Sequence, residues 1–377
     1  TNLYLYSLNF NDTYMKSKLL FLLLLLGSSY ITAQTVIENP PFETRQGSIH
    51  TISKIELSPT ETRLTIRTVF RPQWWTSLDS LTYIYVPESK KQLYPLRIEG
   101  RKFGEQVTTP ASGIIEDDCV ITYPPLPEGT TRIDWIDDNL NSETNTYGIL
   151  LVKPQETKEQ ASLRKIHGNW QQADAQNGWD IGIYDSLAIM DDRFWKYDLC
   201  RKQGKKFKLN LKDETGEQCL LEITQEKDGN LCIGKNGGKA NKYIRAGRPQ
   251  RNYAATTAAT APQTAFFRKD TVHIRGFLDG YSPKLGFTTV LIYTDNHITN
   301  EGTPAVVTIH PDGRFESDFV VNYPGVHHLS MGNNWMTFYI RPGETLMLYI
   351  NWEDHLDYLR QRRLKPMLTE TLYMEIG

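Results

Sequence analysis

From Asn169 to Ile244 the chain repeats one pattern eight times: a short apolar-bearing run, then a polar or glycine-bearing connector. The runs are NWQQA from Asn169, WDIGIY from Trp179, SLAIM from Ser186, FWKYDL from Phe194, KFKLNL from Lys206, QCLLEI from Gln218, LCIG from Leu231 and NKYI from Asn241. Between them stand QNG, DDR, QGK, ETG and KDGN, all compatible with tight hairpin turns. Even spacing of this kind predicts an up-and-down meander over residues 167–245 that closes on itself as a small β-barrel.

Three tryptophans, Trp170, Trp179 and Trp195, fall in this region. Trp195, Tyr197 and Leu199 alternate with Lys196 and Asp198, as Phe207, Leu209 and Leu211 do with Lys208, Asn210 and Lys212, which predicts that the apolar set points inward. An eight-stranded barrel has room for side chains or one small ligand. Each indole buries roughly 150 to 250 Å², so the three rings could fill much of the interior. Trp170, Trp179, Trp195 and Tyr197 are therefore core residues on one reading and the lining of a small-molecule cup on the other.

Two further β regions flank the barrel. Over residues 34–154 alternating runs start at His50, Thr62, Leu81, Leu93, Cys119, Thr131 and Tyr147, with PPLPEG and NLNSETN between them, and predict an antiparallel sandwich. Residues 155–166 are charged and read as a connector. Residues 246–265, AGRPQRNYAATTAATAPQTA with the first Ala at 246, read as an Ala/Thr-rich linker. Over residues 266–352 seven more runs, separated by PDG, YPG, GNN and RPGE, predict a second sandwich. EDHLDYLRQRRL from Glu353 has helical spacing, and residues 353–377 read as a helix followed by a truncated end.

Met15 is followed by KSK, the apolar run LLFLLLLL from Leu19 to Leu26, and GSSYITA, the order of a signal peptide over residues 15–33. The apolar run is shorter than the roughly 20 residues a spanning helix needs. Residues 1–14 read as an upstream leader foreign to the mature chain. The expectation is an exported, periplasmic or envelope-associated protein with no membrane span after cleavage.

The chemistry-bearing residues form few patterns. A formal net charge of -2, with acids and bases interspersed, provides no field for nucleic acid. Cys119, Cys200, Cys219 and Cys232 include no CxxC pair. Alternation turns Cys219 inward and Cys200 and Cys232 outward, and the DG turn at Asp228 and Gly229 sets Cys232 opposite Gln225, so no disulfide is expected within this region unless barrel closure brings Cys200 and Cys232 together. His327 and His328 are adjacent on one predicted strand, point to opposite faces and cannot share a metal. Asp117/Asp118 and Asp191/Asp192 read as solvated turn acids. GKNGGKA from Gly234 resembles a phosphate-binding loop, but its spacing is one residue short and Ala240 stands where Ser or Thr would hold magnesium. No catalytic residue, metal or cofactor is assigned. Trp74 and Trp75, adjacent in RPQWWTSL, are candidates for partner or glycan contact, or else for packing between domains.

The order of these parts is similar to a known family. YPPLPEG, RIDWI and YGILL in the first region, IHGNW, IGIYDS and FWKY in the middle, and PDGRF, YPG and FYIRPGETLMLYI in the third resemble the N-terminal regions of large exported thiol-disulfide reductases of the TlpA, thioredoxin-like type. The likeness runs from about residue 37 to 353, and GNW makes the barrel lipocalin-like, with Trp170 at the position of the floor tryptophan. The resemblance implies that redox chemistry belongs to a C-terminal CxxC domain, that a thioredoxin-like domain or envelope redox partner is the partner, and that this chain is a non-catalytic accessory region. The alternatives are a stand-alone envelope carrier of a small apolar ligand in the barrel, and a surface glycan-binding or adhesion protein using Trp74 and Trp75.

Overall fold

The computed structural model describes residues 35–137, 145–152, 157–174, 179–246, 267–296, 299, 301–332, 334–364 and 375–376. The leader and signal segment of residues 1–33 and nearly all of the 246–265 linker lie outside them. The fold is mainly β: paired sheets, a closed eight-stranded antiparallel barrel, paired sheets again, and a short C-terminal helix.

The first pair consists of a sheet ordered Thr35–Glu38, His50–Leu57, Thr62–Val69, Ile114–Tyr123, Arg97–Glu99 and a sheet ordered Thr44–Arg45, Thr146–Leu150, Arg132–Asp137, Thr82–Val86, Lys91–Leu93. Between them Leu64, Ile66, Ile84, Ile121, Tyr123 and Trp135 are fully buried. The predicted run from Leu93 to Ile98 is split, because Tyr94, Pro95 and Leu96 lie between two strands that belong to opposite sheets. Proline supplies no N–H to a ladder, which suits it to that crossing.

All eight barrel runs form strands: Gly168–Gln172, Ile181–Ile183, Leu187–Met190, Arg193–Gln203, Lys206–Lys212, Gln218–Gln225, Leu231–Lys235 and Asn241–Arg245. Closure comes from the first and last, where Trp170 pairs with Arg245 and Gln172 with Tyr243. A helix over Lys158–Leu163 packs against this barrel; Thr157 and Gln160 form a reciprocal capping box at its start. The motif IGIY has a steric reason: a Cβ at Gly182 would collide with the ring of Tyr184, which folds back over that backbone.

Two expectations about barrel facing are corrected. The ladder between Arg193–Gln203 and Lys206–Lys212 shifts register between Tyr197 and Leu199, so Asp198 is an extra residue and parity reverses after it. Leu199 consequently faces out and Cys200 packs against the core. Cys232 stands opposite Thr224, one position from the expected Gln225.

The third region pairs a sheet ordered Arg314–Val321, Asp270–Asp279, Thr345–Asn351, Glu375–Ile376 with one ordered Glu301–Thr308, Thr289–Asn296, Gly325–Met331, Asn334–Ile340. Asp270–Asp279 and Thr345–Asn351 run parallel, the only such pairing among the described strands. Val272, Ile274, Ile292, Leu329 and Leu348 form the core.

The third region binds both others. Its helix, Trp352–Leu364, lies against the first sandwich: Arg45 forms an ion pair with Glu353, and Ser48 Oγ donates to the Leu356 carbonyl at 3.4 Å. Lys284 pairs with Asp134 at 3.0 Å. Toward the barrel, Tyr349 stacks on Tyr184 with ring centres 4.5 Å apart, and Arg314 pairs with Glu214. Among the described residues no helix is long and apolar enough to cross a membrane.

Candidate functional site

Trp170 and Trp195 lie in the barrel core with Phe207, Leu209, Leu221 and Ile233. Their polar edges are satisfied by backbone: Trp170 Nε1 donates to the Ile166 carbonyl at 2.9 Å and Trp195 Nε1 to the Met190 carbonyl at 3.1 Å. Tyr197 packs beside this core and its hydroxyl donates toward the carbonyls of Tyr184, at 2.8 Å, and Leu187, at 3.0 Å. No donor of these three is left for a ligand, and the inward positions are taken up by side chains.

Trp179 is elsewhere. It belongs to a separate cluster with Tyr184, Leu187, Ile189, Phe194, Phe277 and Met347, on the outside of the barrel where the third region docks. It precedes the short strand Ile181–Ile183 and is not held to the inward alternation of the barrel wall. The four residues named as a possible cup are thus two core indoles, a tyrosine at their side and one interface indole.

Trp74 and Trp75 are both accessible, at 51% and 48%. Trp75 belongs to a two-residue strand, Trp75–Thr76, paired with Val107–Thr108, and the Arg71 guanidinium lies 5.8 Å from the Trp74 ring centre. Packing between domains does not cover them.

One buried polar arrangement in the first sandwich was not anticipated from the sequence. Asp118, read as a solvated turn acid, is buried: its carboxylate lies 2.8 Å from Arg101 Nη1 and accepts from Thr68 Oγ1 at 2.5 Å. His50 Nδ1 is 2.9 Å from Thr68 Oγ1, and His50 Nε2 is 3.1 Å from Thr76 Oγ1. Proton directions follow one another. A carboxylate can only accept, so Thr68 gives it the hydroxyl proton; Thr68 then accepts from His50 Nδ1–H, and Nε2 accepts from Thr76. Burial first, and the Arg101 charge second, hold His50 down at about 4, in its neutral form. A catalytic triad needs imidazole between acid and hydroxyl so that it can take the hydroxyl proton. Here the hydroxyl stands between, donates its hydrogen bond to the acid, and is wholly buried. The chain His50–Thr68–Asp118–Arg101 is therefore a fastening of the first sandwich. Its one sequence signal is the pair Asp117/Asp118 inside IIEDDCVIT: the ladder shifts register between Ile115 and Cys119, Asp117 takes φ of 47°, and Asp118 turns inward.

Asp191 and Asp192 do occupy a turn, both with positive φ, and Asp191 pairs with Lys235 at the surface. His327 is buried while its neighbour His328 is partly exposed, as opposite facing requires. Among the described residues no group of three His, Cys, Asp or Glu is placed to hold a metal ion.

All four cysteines are free. Burial pushes the Cys119 thiol up to about 12. Burial likewise raises Cys200 and Cys219, while the Cys232 thiol, donating to Glu226 at 3.2 Å, is raised by that bond. Among the described residues, clefts outside the barrel include one of about 370 Å³ in the third region, beside Glu301, Phe319 and Tyr323, and one of about 200 Å³ at the helix junction, beside Phe42, Arg45, Arg67 and Arg360. In the second the arginines are already engaged, with Glu353, Glu116 and Asp357 respectively.

No family model matches this chain, and no curated protein matches it. Among solved structures it is similar to part of a pullulanase from Bacillus acidopullulyticus, at 10% identity and a TM-score of 0.15, over 74% of this chain and 33% of that one. The chain thus spans a third of the length of that protein, and a likeness this slight carries no argument.

Proposed function

We propose that this chain is a non-catalytic binding and positioning region of an exported thioredoxin-like thiol-disulfide oxidoreductase, periplasmic or envelope-associated. The observation that carries its non-catalytic part is the state of the thiols. Attack on a disulfide requires a thiolate and a nearby resolving thiol. The four cysteines are unpaired, on different strands, and each is held above its ordinary value. The redox assignment rests on the motif resemblance, and the positioning role on the third region's contacts to both neighbours. The partner is a CxxC-bearing thioredoxin-like domain.

Two measurements test this. Dithiothreitol-driven insulin reduction by the chain alone should run at the uncatalysed rate, and calorimetric titration with a CxxC-bearing thioredoxin-like domain should show a complex. Turnover by the chain alone, or no heat of binding, refutes the proposal.

A second reading is favoured by the exposure of Trp74 and Trp75: a glycan-contacting surface on the first sandwich. Trp74→Ala and Trp75→Ala should then abolish glycan retardation in affinity gels with unchanged melting curves; unchanged retardation in both sinks it. The carrier reading is the weakest of the three, because the barrel interior holds side chains where a ligand would sit.

A further inference from the structure

The outer face of the sheet Glu301–Thr308, Thr289–Asn296, Gly325–Met331, Asn334–Ile340 is unlike the other exposed faces of the molecule. Alternation sends Val290, Ile292, Leu329, Met336 and Phe338 into the core, and the opposite residues outward. Among the described outward side chains there is no Asp, Glu, Lys or Arg, and His328, beside Tyr293 on the neighbouring strand, is the one imidazole. Trp335 is 59% exposed, Tyr339 50% and Val306 69%, joined by Val326, Pro304 and Tyr293. Trp335 and Tyr293 stack across the intervening strand with ring centres 5.0 Å apart.

The companion sheet of the same sandwich is an internal control. Its outer face carries Arg275–Glu316, Arg275–Asp318 and His273–Asp318 pairs. The first sandwich shows Lys54–Glu56, Arg63–Glu99 and Arg67–Glu116, and the barrel wall Lys208–Glu222. An antiparallel sheet with one face in water is ordinarily polar on that face. Contiguous apolar patches of a few hundred Å² on a soluble chain mark interaction surfaces.

We infer that this face is the contact between two copies of the chain, packed sheet on sheet about a two-fold axis. Two observations choose a second copy as the occupant. A contact of this symmetry sets one surface against itself, so a charged face would repel its copy and an uncharged one does not. The face is also graded in size: the edge strand Asn334–Ile340 presents Trp335 and Tyr339, whereas the opposite edge, Glu301–Thr308, presents Gly302, Pro304 and Val306. A two-fold axis between the faces and parallel to the strands lays the bulky edge of each copy over the small edge of the other, as aligned sheet packing requires. Four strands about 4.8 Å apart, about seven residues long at about 3.4 Å per residue, project roughly 450 Å². Side-chain relief raises this toward the roughly 800 Å² of accessible surface per partner of a standard interface.

Sedimentation equilibrium of the full chain at loading concentrations of about 1 to 100 µM tests this. The expected mass approaches twice 43.4 kDa at the upper end. Trp335→Lys and, on the opposite edge, Val306→Lys should each weaken association by about 30-fold or more, with melting curves unchanged; His273→Lys, on the companion sheet, should not weaken it. Should Trp335→Lys fail to fold, Val306→Lys carries the test, since its side chain stands mostly in solvent. A wild-type chain of single mass at the upper concentration overturns the inference, including one whose face binds a neutral glycan instead. So does a dimer that survives both lysines, which would be built on another surface.

Discussion

The indole of Trp352 donates its N–H to the carbonyl of Arg45 at 2.8 Å, joining the start of the C-terminal helix to the second strand of the first sandwich. The same ring lies 5.5 Å from Phe287 and 5.5 Å from His355, so one side chain belongs both to the third core and to the junction. Trp352→Phe retains most of the packing and leaves a buried carbonyl without its donor, for an expected loss of about 1 to 3 kcal/mol. Trp352→Ala should lose about 3 to 5 kcal/mol. Urea unfolding of both variants would check the order, and equal losses would mean that the hydrogen bond contributes nothing.

Trp195→Ala should destabilise the barrel by about 3 to 5 kcal/mol, because it opens a cavity in a core packed by Trp170, Phe207, Leu209 and Leu221. A melting curve unchanged from that of the wild-type chain would contradict the packed-core description. Titration with an apolar fluorescent probe should likewise give no saturable quenching of tryptophan emission.

His50 predicts a pH dependence with a definite sign. Its folded value is about 4 against an ordinary 6.5, so within that window only the unfolded chain binds the proton. The stabilisation is complete above pH 6.5, drains as pH falls through the window, and levels off below about 4. The shift corresponds to roughly 3 kcal/mol. His355, likewise held down at about 4 by burial, adds a contribution of the same sign. Urea midpoints measured across the window should fall with acidity, and His50→Gln should remove part of the slope; a slope identical in both chains would show that His50 takes no part.

Alkylation in the native state should follow burial. Cys232, on the outer wall, should react first with iodoacetamide, while Cys119 and Cys219 should react only after unfolding. Mass spectrometry of the timed products reads the order directly. Early labelling at Cys119 would be incompatible with the first sandwich as described.

Much of the strand inventory was legible because a half-buried strand writes its facing into every second residue, and turn dipeptides mark its ends. Phe207, Leu209 and Leu211 against Lys208, Asn210 and Lys212 is such a case, and it is borne out residue for residue. What alternation cannot carry is a change of parity within a run. Asp198 reverses the wall after Tyr197, and the shift before Cys119 turns Asp118 inward; both are backbone events visible only against the partner strand. Contacts between distant segments were equally hidden. Trp179 sits with Phe277 and Met347, and nothing near it in sequence announces those partners. Nor did a motif announce the uncharged outer face around Trp335, though the lack of charge in TTVLIY and in NWMTFYI was there to be read.

The parallel pairing of Asp270–Asp279 with Thr345–Asn351 bears on how the molecule is made. The barrel ladder is antiparallel between sequence neighbours and closes as soon as Asn241–Arg245 is available, so it can form while later residues are still being synthesised. In the third core the central strand pairs with a neighbour some seventy residues downstream, a span like that of the barrel's closing pair Trp170–Arg245, but it does so in parallel, so no hairpin joins the two strands. Long-range pairings of this kind are slow to form and leave the nascent chain prone to aggregation. The region that fastens the other two together is therefore the last to be completed, and the bracket is assembled around parts whose strands already precede it in the chain.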